Sequence, residues 1–112
     1  MSISATIVNG NSSSNVECYH FPYLNMCWAR VYVVLSEDLA ANTNLTVCEI
    51  DVNYKPMYIT ALSAHSRDAS VSAYVRRDAT NPTTDPVTLI VSSKSDLTAG
   101  SAIYISGLWA VS

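Results

Sequence analysis

From residue 26 onward the chain switches character at every second position, and that period leaves few folds open. In MCWARVYVVL (26–35), Cys27, Ala29, Val31, Val33 and Leu35 point one way, and Trp28, Arg30, Tyr32 and Val34 the other. Successive side chains of a strand face opposite sides, so this is a half-buried strand, rich in the β-branched and aromatic residues that suit one. The rhythm recurs in LTVCEI (45–50), MYITALSA (57–64), SVSAYVRR (70–77), PVTLIVSS (86–93) and SAIYISGLWAV (101–111). ISATIV (3–8) and NVECYHFPYL (15–24) read as further strands, the second bent or at an edge because Pro22 cannot donate to a ladder. Between them sit turn formers: Gly10-Asn11, Ala41-Asn42, Asn53 with Pro56, Asn81-Pro82, Asp85-Pro86 and Ala99-Gly100. No window has a helical period. The expectation is an all-β, antiparallel two-sheet sandwich, jelly-roll or Greek-key-like, of about eight strands. At 112 residues it forms one domain, 1–112, with 1–15 a flexible or interface-forming segment and NGNSSSN its most mobile loop.

One connector occurs twice. SEDLAANTNLTV (36–47) and KSDLTAGSAIYI (94–105) align without a gap at a spacing of 58 residues. Asp38-Leu39 matches Asp96-Leu97, Ala41 matches Ala99, Asn42 matches Gly100, and Leu45 and Val47 match Ile103 and Ile105. Asn and Gly most readily adopt positive φ, the leucine can plug an open end of the core, and the aspartate can bond to nearby amides as an Asx-type turn. Half the chain separates the copies, which marks a duplicated corner and not a solenoid.

Composition removes several function classes. Only six Lys and Arg are present, the net charge is −3, and only Arg76 and Arg77 are adjacent, so no nucleic-acid footprint exists. Charged residues make up 13%, about half the usual share, which points to a polar uncharged surface partly covered by partner subunits. Cys18, Cys27 and Cys48 are odd in number and lack CxxC spacing; they read as small buried apolar residues of a reducing cell. No metal or cofactor is expected: EIDVN (49–53) is a thin version of a calcium loop, and three glycines cannot build a phosphate loop. The N-terminus lacks the basic and apolar regions of a signal peptide, and no apolar run reaches the length of a membrane span. His20 and His65 have no G-x-S-x-G elbow or paired carboxylates to work with, so a non-enzyme is expected.

The aromatics are more informative. Seven Tyr and two Trp exceed what one small core takes, and these residues favour interfaces and stack on sugar rings. Trp28, Tyr32, Tyr58 and Tyr74 fall opposite the small apolar face of their strands. That second face meets either a neighbouring subunit or a ligand.

The order RVYVVLSEDLAANTNLTVCEIDVNYKPMYITAL, VSAYVRRD, PVTLIVSSKSDLTAGSAIYISGLWAV, with NYKP (53–56), LTAG (97–100) and IYISGLW (103–109), resembles the small C-terminal β-sandwich domains of tailed-bacteriophage tail fibres and baseplate receptor-binding proteins. The likeness covers residues 26–112 and identifies a fold better than a ligand. It departs where a short turn is replaced by DATNPTTDP (78–86). The resemblance implies a homotrimer at a fibre tip, made in the bacterial cytoplasm and carried on the virion. It would bind a bacterial surface glycan or protein alongside other virion proteins, with no membrane insertion. Its receptor contacts are expected in HSRD (His65, Arg67, Asp68) and in Tyr74, Arg76, Arg77 and Asp78, where Arg and Asp could bond sugar hydroxyls or the phosphates of a teichoic-type polymer. Its subunit interface is expected at Trp28, Tyr32, Tyr58 and Trp109. The alternatives are a structural virion module (head fibre, decoration or baseplate assembly) and a lectin-like carbohydrate-binding module.

Overall fold

The computed structural model describes residues 1–76 and 86–112. Eight antiparallel strands run as β1 (Ala5–Ile7), β2 (Asn15–Phe21), β3 (Met26–Val34), β4 (Asn44–Ile50), β5 (Thr60–His65), β6 (Val71–Arg76), β7 (Val87–Ser93) and β8 (Ala102–Ala110). A single 3₁₀ turn, Val52–Tyr54, precedes β5, opened by Asp51, whose carboxylate accepts from the Asn53 amide. The strands are the ones the alternation predicts, with two differences. Pro22 ends β2 at Phe21, and residues 57–59 stay outside β5 with Met57, Tyr58 and Ile59 all exposed. A short run alternating Met, Tyr and Ile has the strand period whether or not a neighbour exists to pair with it.

The strand order is β1-β4-β7-β6-β5-β8-β3-β2. Cut at the middle, it gives two four-stranded layers, β1-β4-β7-β6 and β5-β8-β3-β2. Advancing every strand of the first by four places round the chain order yields the second. The layers are stitched at both margins, so the sandwich approaches a closed barrel. On one margin β5 changes partner midway: Thr60, Ala61 and Leu62 pair with β6, and Ser63, Ala64 and His65 with β8. On the other, β1 pairs with β4 while Ser2 bridges to Tyr19 and the Ile3 amide donates to the Cys18 carbonyl at 3.0 Å. Strands that switch sheets make such corners and cover edges that would otherwise invite pairing with other chains.

The repeated connectors meet face to face. Leu39 and Leu97 exchange both backbone hydrogen bonds, at 2.8 and 2.9 Å. The Ala41 amide donates to the Asp96 carboxylate, and the Ala99 amide to the Asp38 carboxylate, both at 2.8 Å. The Asn42 amide donates to Ser93 and the Gly100 amide to Leu35, again at positions 58 apart. Asn42 and Gly100 take φ of 60° and 93°, the left-handed region that these two residue types tolerate best. The two leucines close the core, 4% and 2% exposed. Each aspartate thus caps the other copy's turn across the molecule, where the sequence alone suggested a bond within its own turn.

Cys27, Ala29, Val31, Val33 and Leu35, with Ile103 and Ile105 beside them on β8, share one interior cluster with Val75, Val87, Leu89 and Val91 of the other layer. In β4 the register slips between Thr46 and Cys48, a bulge that turns both Val47 and Cys48 inward. Trp109 is also interior, 1% exposed, with its Nε1 donating to the Tyr54 carbonyl at 2.9 Å. It is therefore a core residue of one chain and not the subunit contact expected of it. The serine-rich segment is a bonded turn: the Asn11 side chain accepts from the Ser13 amide, and the Ser14 hydroxyl from the Val34 amide.

Candidate functional site

The outer face of the β5-β8-β3-β2 layer carries the clearest constellation. Because the four strands are in register, residues far apart in sequence form straight rows across it. One row is Asn15–Tyr32–Tyr104–His65. The Tyr32 and Tyr104 ring centroids lie 4.9 Å apart, and those of Tyr104 and His65 6.5 Å apart. The first spacing is that of neighbouring strands, so the rings stand side by side instead of stacking in a core. The next row is Glu17–Arg30–Ser106–Ser63, in which Arg30 donates to the Glu17 carboxylate at 2.6 Å. A third row contains Tyr19, Trp28 and Leu108, with Tyr19 and Trp28 packed at 5.7 Å.

The first row, with Arg30, Ser106 and Ser63 of the second, lines an open cleft of about 480 Å³, within the size range of small-molecule sites. Tyr104 is half exposed, and the ion pair remains solvent-accessible. Neither tyrosine hydroxyl nor the His65 ring has a hydrogen-bond partner among the described residues, so each can bond to a ligand. The described lining holds no carboxylate; Glu17 lies outside it and contacts Arg30 from the neighbouring strand. Glycoside hydrolysis commonly uses two carboxyl groups flanking the bond, and the described lining residues include no such pair. Its chemistry is that of a platform: aromatic rings for the flat side of a ligand, with hydroxyl, amide, guanidinium and carboxylate groups along its edge.

The expected site residues divide. His65 belongs to the aromatic row, and Arg67 and Asp68 are exposed in the turn that leaves it. Tyr74 and Arg76 lie on β6 in the opposite layer, in register with Ile90 and Thr88. Arg77 and Asp78, with most of the expected DATNPTTDP loop, fall outside the described residues. Among the expected interface residues, Trp28 and Tyr32 share the outer face with the cleft, and Tyr58 stands 76% exposed in the loop before β5. Asn15, Arg30, Ser63, Tyr104 and Ser106 were not anticipated as site residues. One signal was available for Tyr104: in IYIS it alternates with two isoleucines of the core, so it had to face outward.

His20 sits in another row, opposite Cys27, where its Nε2 meets Asn25 Oδ1 at 3.1 Å and its ring lies 5.0 Å from Tyr54. It fastens the β2–β3 turn and takes no part in the cleft. The three thiols are buried, and burial pushes Cys18 and Cys48 up to about 12 and Cys27 up to about 11. Among the described residues, no three His, Cys, Asp or Glu gather as metal ligands, and no helix is long and apolar enough to cross a membrane.

A second exposed surface lies beside the end of β8. Tyr23 and Leu24 in the β2–β3 turn, and Met57, Tyr58 and Ile59 before β5, are all more than half exposed. Both loops are fastened to the C-terminal segment: the Met57 amide donates to Ala110, and the Val111 amide to Asn25.

No protein-family model, curated protein or solved structure matches the chain.

Proposed function

We propose that the chain is a non-catalytic glycan-recognition domain, of the kind carried at the tips of bacteriophage tail fibres and baseplate receptor-binding proteins. On this reading it holds a bacterial surface saccharide over the Tyr32–Tyr104–His65 row. The observation that carries the proposal is the row itself. Three neighbouring strands place a flat aromatic group at the same level, on a solvent-facing sheet, beside a row of donors and acceptors. Pyranose rings offer apolar faces to aromatic rings and hydroxyls to polar edges, and a paired sheet holds both at fixed distances. The phage assignment rests on the motifs of residues 26–112; a virion location and a bacterial receptor follow from it.

The same reading includes a homotrimer. Apolar side chains as exposed as Tyr23, Leu24, Tyr58 and Ile59, gathered on two loops at one end, favour contact with other chains. The outer face of β3 and β8 is then left to the receptor.

Glycan-array binding and pull-down with bacterial envelope fractions, read beside light scattering, test the proposal. The expected result is a trimer that binds saccharide and loses binding in Tyr104→Ala. A trimer that binds another virion protein and no envelope fraction would identify a structural module instead. A saccharide-binding monomer would identify a lectin-like module.

A further inference from the structure

We infer that the cleft selects neutral sugars bearing vicinal hydroxyls over anionic ones, with the Glu17–Arg30 pair reading two neighbouring hydroxyls. This rests on the glycan reading above and adds a ligand class to it.

The aromatic row and the ion-pair row are two residues apart along each strand, or about 7 Å. A pyranose lying on Tyr104 therefore extends its ring substituents toward Arg30, Ser106 and Glu17. Arg30 and Glu17 are in contact at 2.6 Å and both remain exposed, with side-chain accessibilities of 59% and 44%. The pair is neutral as a unit, yet it presents free guanidinium N–H donors next to a carboxylate acceptor. A hydroxyl both donates and accepts, so two adjacent hydroxyls satisfy both partners: one accepts from Arg30 and the other donates to Glu17. Bonds to charged groups of this kind are the stronger ones.

An anionic ligand fares differently. The charge of Arg30 is already offset, and a second negative group beside Glu17 is repelled. The remaining named groups of the two rows are Asn15, Tyr32, Tyr104, Ser63, Ser106 and His65, none of them a lysine or a second arginine. The turn leaving His65 adds Arg67 and Asp68, one of each sign. Sites that recognise phosphate or carboxylate concentrate unpaired cations, and this face does not. The teichoic-type phosphates considered from the loops of the sequence therefore fit the cleft poorly.

The test is an array carrying neutral hexose, deoxyhexose and N-acetylhexosamine oligosaccharides beside hexuronate, sialate and phosphoglycan probes, read with the wild-type chain and with Glu17→Gln. The wild type should bind at least one neutral class and bind its anionic counterpart at least tenfold more weakly. Glu17→Gln removes the charged acceptor and frees the charge of Arg30. It should lose about tenfold on the neutral probe, the size of one charge-assisted hydrogen bond, and gain on the hexuronate. Circular dichroism of the variant controls for folding. Anionic probes bound as well as neutral ones by the wild type, or neutral binding unchanged in Glu17→Gln, would overturn the selectivity while leaving the glycan reading in place. Binding to no probe of either class would overturn the glycan reading and the selectivity with it.

Discussion

Cys18, Cys27 and Cys48 show how burial sets chemistry at single residues. Each thiol is at most 4% exposed, so its thiolate is disfavoured and its folded pKa lies above that of the unfolded chain. Below the ordinary thiol range both states keep the proton and stability does not depend on these groups. Above about 9 the unfolded state releases protons that the folded state retains, and stability falls until the folded thiols titrate at about 11 to 12. The decline is steepest where the unfolded thiols are ionised and the folded ones are not. Chemical unfolding between pH 8 and 11 should therefore show a declining midpoint, with a shallower decline in Cys48→Ala. The same burial makes all three slow to react with a thiol reagent until the protein unfolds. At the cleft, Tyr104→Ala should reduce saccharide affinity at least tenfold by calorimetry, as expected for a central aromatic anchor. Trp28 stands two residues along β3 from Arg30, and its smaller change on substitution would place it at the rim.

The paired corners are the units that organise the strands. Exchanged bonds between Leu39 and Leu97, with Asp38 and Asp96 each capping the opposite turn, make them one interlocked element built from two distant segments. Asp38→Ala and Asp96→Ala should each cost about 1 kcal/mol in denaturant unfolding. The double variant should depart from the sum of the two, because both aspartates fasten the same interlocked pair of turns. At the turn positions, Gly100→Ala forces a side chain into φ of 93° and should cost about 1–2 kcal/mol, while Asn42→Gly should be near neutral. Strand existence was legible locally because alternation is a property of consecutive residues. The sequence also revealed that two corners are alike. It did not reveal that they touch, since likeness at a spacing of 58 says nothing about contact. Residues 57–59 mark the opposite limit: their alternation imitates a strand, yet after the Pro56–Val111 bridge and the Met57 bond to Ala110 no ladder continues through them into β5.

In the whole molecule, two four-stranded layers share one core and are joined at both margins, by β5 on one side and the first residues of the chain on the other. With those margins occupied, the proposed assembly would run through side chains and not through strand addition. If the proposed trimer forms through these loops, Tyr58→Ser combined with Leu24→Ser should shift the light-scattering mass toward one chain and remove any concentration dependence of the thermal midpoint, since both residues are exposed and outside the core. A lowered midpoint at unchanged mass would place these loops in the packing of a single chain. The fold class, the strands, the inward faces of β3 and β6 and the core-plugging leucines could all be read in advance, because period and turn chemistry act over a few residues. Trp109 was legible by the same period, since it continues the face of Ile103 and Ile105 that points into the core; the expectation of a subunit contact set that alternation aside, and the burial of Trp109 and its bond to the Tyr54 carbonyl correct it. The candidate site was the least legible part. Tyr32 and Tyr104 are 72 positions apart, and their rings became neighbours only when β3 and β8 paired in one register out of several that alternation allows. Local pattern determines which way a side chain faces. Which residue stands beside it across the sheet depends on long-range strand pairing, and that belongs to the tertiary structure.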